Sequence, residues 1–163
     1  MQPGNASHDP SSLLARLTQE SAAWQALLQS LQDEEQALIA GDADRLALLN
    51  TAKLTQLQKV SDHARNRHAD LLAAGHTPDP AGMRMWLAQH KHPDLLARWQ
   101  QLGVMEQEAQ ALNQRIGALI ELRLASTRQA LNVLVHSATS QGGLYDNEGL
   151  AVAAHKGKPL TAA

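Results

Sequence analysis

The 163-residue chain has no cysteine and no phenylalanine, and its aromatic residues are limited to three tryptophans and one tyrosine. Without thiols it can form no disulfide, no thiolate zinc site and no cysteine nucleophile, and a reducing compartment suits it. With so few rings, the core must be assembled from aliphatic side chains. The 44% hydrophobic fraction is led by Leu and Ala, both strong helix formers. No apolar run approaches the ~18 residues of a membrane span, and MQPGNASHDP lacks the basic start and apolar run of a secretory signal. A cytoplasmic chain without membrane insertion is therefore expected, and Asn5-Ala6-Ser7 reads as chance composition rather than a glycosylation site. Fourteen basic against sixteen acidic groups, with no block of like charge, give no electrostatic footprint for nucleic acid or an anionic membrane.

What is present is helical periodicity. Asp9-Pro10 offers a cap with proline at the first helical position, after which Leu14, Leu17, Trp24, Leu28, Leu31 and Leu38 recur in alternating steps of three and four. Filling the same period puts Ser21 and Glu35 on this seam, with Leu13 and Leu27 widening it, so the heptads are interrupted by polar residues. Gly41 supplies the left-handed residue that ends a helix, and Asp42 and Asp44 are candidate caps for the next. That second helix carries Leu46, Leu49, Leu54, Leu57, Val60, Ala64 and Leu71 and stops at Gly75. The short junction makes the two helices antiparallel neighbours. HTPDPAG at residues 76–82 breaks the pattern, and Asp79-Pro80 caps a short connector helix bearing Met83 and Trp86. From His92-Pro93-Asp94 a third long helix begins, with Leu95, Trp99, Leu102, Ala109, Leu112, Ile116, Leu119, Ile120, Leu131 and Leu134, ending near Val135. A helix of that length must bend, pair along its length, or leave an apolar stripe exposed. The fold class expected is all-α: an elongated antiparallel three-helix bundle or coiled coil, with a flexible C-terminal tail rich in Gly, Ser, Ala and Thr.

Chemistry is scarce. His63 and His68 are five apart and His90 and His92 two apart, whereas paired ligands on a helix need three or four, and there is no Glu-x-x-His, so no metal is expected. Asp33, Glu34 and Glu35 are adjacent and point in different directions on a helix, which suits a solvated face, with Lys53 a candidate partner for Glu35 across the hairpin. No phosphate loop, nucleophile elbow or dinucleotide fingerprint occurs, so neither cofactor nor catalysis is expected. Trp24 and Trp99 read as packing residues, while Trp86 could close the bundle or meet a partner. Gly117 lies inside the third helix, where glycine costs roughly 1 kcal/mol against alanine. Close approach of another helix, with Asn113 one turn earlier as a hydrogen-bonding group, would account for it. A tolerated defect is the alternative.

Several segments occur in a telling order: the hairpin joined at Gly41-Asp42, Lys53 in its second arm, LNQRIGALI at residues 112–120, ALNVL at 130–134, and Leu144-Tyr145 with a glycine four positions after the tyrosine. In that order they resemble the FlgN-type flagellar export chaperones. Ile116 stands where that family often has a second asparagine, and its Leu-Tyr-Gly becomes Leu144-Tyr145-Asp146. The resemblance implies a cytoplasmic, non-enzymatic protein that binds the C-terminal helices of hook-filament junction proteins. It also implies that such a protein prevents their premature assembly and delivers them to the type III export gate. By the same resemblance the client-binding stretch comprises Leu112, Asn113, Ile116, Gly117, Leu119, Ile120, Arg123, Leu124, Leu131 and Leu134. Leu144 and Tyr145 would dock on the cytoplasmic domain of the export-gate membrane protein. The division implied is a disordered N-terminus at 1–9, a helical chaperone domain at 10–138 and a flexible tail at 139–163. Homodimerisation of the client-free chain stays open, and a self-associating coiled-coil scaffold is the competing reading.

Overall fold

The computed structural model of the chain describes residues 10–142. Four helices follow in order: α1 Pro10–Ala40, α2 Ala43–Ala73, α3 Pro80–His90 and α4 Pro93–Gly142, with no strand among the described residues. The all-α expectation is met. The connector forms a helix of 11 residues, and α4 has 50 residues and runs on past Val135 to Gly142. The chain divides into two units, Met1–Ile120 and Glu121–Ala163.

In the first unit the helix ends are set by local chemistry. Gly41 and Gly75 both adopt left-handed backbone, with φ of 74° and 77°. At each, two consecutive amides turn back onto the final helical carbonyls: Gly41 N to Leu38 O and Asp42 N to Ala37 O, then Gly75 N to Leu72 O and His76 N to Leu71 O. This double closure satisfies carbonyls that a helix end otherwise leaves open. Of the two candidate caps for α2, Asp42 is the one that acts, accepting the Arg45 amide at 3.0 Å. Asp79 caps α3, accepting from the Gly82 amide at 2.7 Å and the Thr77 hydroxyl at 2.8 Å. Those donors, the Gly82 amide first, hold the Asp79 carboxyl below its usual range. Gly82 itself is buried against the Thr77 carbonyl, where a Cβ would collide with backbone.

The core joins Leu13, Leu17, Leu27, Leu28, Leu31 and Leu38 of α1 to Val60 and Leu71 of α2, to Met83, Trp86 and Leu87 of α3, and to α4. On α4 the buried positions are Leu95, Leu102, Met105, Ala109, Leu112 and Ile116, which with the partly buried Trp99 between the first two recur in steps of three and four. Trp86 therefore closes the core. Its indole stacks on His90 at 3.7 Å between ring centroids. Trp24 and Trp99 are partly buried against the same cluster.

The α1–α2 register is fixed by ion pairs that run in antiparallel order. Arg16 pairs with Asp70, Arg67 meets Glu20 through two hydrogen bonds of 3.0 and 3.1 Å, and Lys53 meets Glu34 at 2.7 and 2.8 Å. The last two rungs are two heptads apart on both helices, so they occupy equivalent seam positions. Glu34 is buried, which corrects the expectation that all three consecutive acids lie on a solvated face. Its spacing from Leu27, Leu31 and Leu38 places it on the same stripe. The pairing expected between Glu35 and Lys53 is also corrected. Lys53 is taken by Glu34, while Glu35 accepts from Arg115 of α4 at 2.8 Å. That bond raises the Arg115 pKa above its ordinary value.

The stripe expected on α2 needs a similar correction. Leu46, Leu49, Val60, Ala64 and Leu71 are at least half-buried as expected, but Leu54 and Leu57 are exposed, and Lys53, Gln56, His63, Arg67, Asp70 and Ala74 are the further half-buried positions at heptad spacing with Leu46, Leu49 and Val60. The heptad is intact, but most of its central positions hold polar residues.

Candidate functional site

The residues expected to receive a partner divide between two environments. Leu112 and Ile116, 2% and 3% exposed, are buried in the core of the first unit, and Leu119 packs half-buried against it. These three sit in the chain's own packing rather than on an accessible surface. Asn113 and Gly117 are exposed, and nothing lies within 4 Å of where a Gly117 Cβ would be. No helix of the described chain approaches there. Ile120 is the last residue of the first unit and is exposed.

In the second unit, every residue from Glu121 through Thr139 is exposed. Arg123, Leu124, Leu131 and Leu134 all belong to this segment, with Leu124 at 51%, Leu131 at 55% and Leu134 at 64% exposure. Leu122, Val133 and Val135 are also exposed and were not anticipated as site residues. Ser126, Gln129, Ala130, Val133 and Leu134 line an open recess on this helix. Leu124, Leu131 and Val135, with Thr127 and Leu134 between them, recur at steps of three and four and so share one face. That face is shifted by one residue from the heptad phase of Ile116 and the other buried α4 positions. It is a stripe of its own, and the one-residue change of phase in the sequence was the signal that separates it from the core seam.

A helix that exposes leucines and valines at this spacing offers what an amphipathic partner helix needs. Fully burying one such side chain gains on the order of 1.5–3 kcal/mol. Several together support a specific interface, once the cost of ordering is subtracted. Leu144 and Tyr145, the other expected contact, lie outside the described residues. Among the described residues no group of three or more His, Asp or Glu is placed to hold a metal, and no helix is long and apolar enough to cross a membrane.

The fold and this surface define an all-α protein whose exposed chemistry is an apolar helix face. The FlgN protein family matches residues 9–153. A solved structure from Pseudomonas aeruginosa, described as a flagella synthesis protein FlgN, is 30% identical with a TM-score of 0.61, over 77% of this chain and 98% of that one. The search of curated proteins returns no match. The chain belongs to the FlgN family, a family of flagellar chaperones not known for enzymatic activity.

Proposed function

We propose that this protein is a flagellar type III export chaperone that binds the C-terminal helical ends of hook-filament junction proteins. It keeps them from assembling early and delivers them to the export gate. The observation that carries this reading is the exposed apolar face of α4 within a FlgN-family chain. A client's amphipathic helix laid along Leu124, Leu131, Leu134 and Val135 would bury that face and cover the client's own assembly surface. Leu112 and Ile116 contribute by holding the first part of α4 in the core, while Asn113, Gly117 and Ile120, and separately Arg123, are further proposed client contacts. Gly117, open on its outer side, admits a closely approaching client backbone. Leu144 and Tyr145 then contact the cytoplasmic domain of the export-gate membrane protein, a role suited to a short apolar-aromatic segment that binds reversibly.

Calorimetric titration with the C-terminal segment of a hook-filament junction protein tests the client assignment. A defined complex is expected. No heat at tens of micromolar, or a stable homo-oligomer that excludes the segment, would favour the self-associating scaffold. Tyr145→Ala is expected to leave client binding intact and impair delivery, and equal loss of both would place the tail in the client site.

A further inference from the structure

A second surface, in the first unit, is independent of the client face. Where α3 gives way to α4, a recess of about 400 Å³ opens, a volume in the range of ordinary ligand pockets. Its apolar lining is Leu87, Ala88, Pro93 and Leu96, and Leu96 is left 47% exposed. Three bases stand with them: Arg84, Lys91 and His92. Lys91 is the one described non-glycine residue with left-handed backbone, φ 45°, a conformation in which glycine would be less strained. The Nδ1 atom of His92 is buried without a hydrogen-bond partner. Asp94, the nearest acid in sequence, lines a different recess with Leu14 and Arg98. Asp79 is close enough to Arg84 to be influenced by its charge, yet its carboxylate is committed to the α3 cap.

An apolar hollow flanked by bases calls for a segment that alternates large apolar side chains with carboxylates. The chain carries one such stretch at residues 144–150, LYDNEGL, with Leu144, Tyr145 and Leu150 interleaved with Asp146 and Glu148 and no base among them. We propose that the α3–α4 recess of one copy receives residues 144–150 of a second copy. Each copy owns both the recess and the segment, so a two-fold pair closes two identical contacts at once and gains from their linkage. The pairing would also occupy Tyr145 whenever two client-free copies meet. It does not require the client assignment to be right.

The test uses the full chain and a fluorescein-labelled peptide of residues 141–150, followed by fluorescence anisotropy. Saturable binding below about 200 μM is expected, weakening at least five-fold in Lys91→Gly and at least ten-fold in Arg84→Glu. Lys91→Gly removes the cation where glycine suits the backbone, so its melting temperature should not fall and a binding loss cannot be blamed on misfolding. A peptide carrying Asp146→Asn and Glu148→Gln should bind more weakly to the unaltered chain. Sedimentation of the full chain should show self-association that Arg84→Glu reduces. No peptide binding, binding indifferent to both recess variants, or a full chain that stays monomeric while blocking the peptide with its own tail would each overturn the proposal.

Discussion

The Glu20–Arg67 pair offers the sharpest test of how the hairpin holds together. The Glu20 carboxylate is 3% exposed and receives two hydrogen bonds from a guanidinium that is itself 15% exposed and lies 4.8 Å from the centre of the Trp99 ring. The two single truncations should therefore be unequal. Arg67→Ala strands a buried carboxylate, which costs about 3–5 kcal/mol when the site is fully closed, and forfeits a cation–π contact of roughly 0.5–1 kcal/mol. Residual exposure of the arginine argues for the lower end, about 3 kcal/mol in all. Glu20→Ala leaves an arginine that keeps Trp99 and reaches water through its long stem, so about 1–2 kcal/mol is expected. For a unit of this size, 1 kcal/mol moves Tm by roughly 3–6 °C, giving a fall of roughly 10–20 °C for Arg67→Ala. Replacing the pair by Glu20→Leu with Arg67→Met should restore most of the loss, since an apolar pair of similar volume avoids desolvating two charges. Urea denaturation followed by circular dichroism provides the cycle. The reasoning fails if Arg67→Ala costs less than Glu20→Ala, or if the coupling is below about 0.5 kcal/mol.

Gly82→Ala forces a Cβ against the Thr77 carbonyl and should lose roughly 1–3 kcal/mol in a thermal melt. Gly117→Ala meets open space in a helix interior and should gain roughly 0.5–1 kcal/mol, while weakening client binding if a client backbone packs there. Asp79 has a lowered pKa in the folded chain, so its cap contributes in full above the ordinary carboxylate pKa and fades as pH falls through the lower folded value. An acid titration of Tm should be less steep in Asp79→Asn than in the unaltered chain. Leu131→Asp and Leu134→Asp, on an exposed face, should shift Tm by no more than about 0.5 kcal/mol equivalent yet abolish client binding in calorimetry.

The parts of the fold legible in the sequence were those written in apolar spacing and helix punctuation. Leu13, Leu17, Leu27, Leu31 and Leu38 sit in the core, Gly41 and Gly75 end their helices in left-handed backbone, and Asp42 and Asp79 cap where caps were expected. On α2 the same method found Leu46, Leu49, Val60, Ala64 and Leu71 but wrongly added Leu54 and Leu57, because Lys53, Gln56, His63, Arg67 and Asp70 occupy heptad positions that apolar counting skips. Arg67 and Asp70 meet partners 47 and 54 residues away, Glu20 and Arg16, which spacing alone cannot pair. Glu34 was misjudged for the same reason, since adjacent acids look alike until a lysine on another helix selects one of them. On the candidate site, the sequence run from Leu112 to Leu134 looked uniform. The structure divides it near Ile120, into residues that complete the chain's own core and residues that remain open. Met105, a core position, was passed over because leucine carried the pattern around it.

The central claim is that the exposed face of α4 receives a client helix. Hydrogen–deuterium exchange of the full chain, with and without the C-terminal segment of a hook-filament junction protein, tests it most directly. The account predicts slowed amide exchange concentrated across residues 121–139, with the amides of α1 and α2 nearly unchanged. A complex that forms while leaving residues 121–139 exchanging as in the free chain would contradict it.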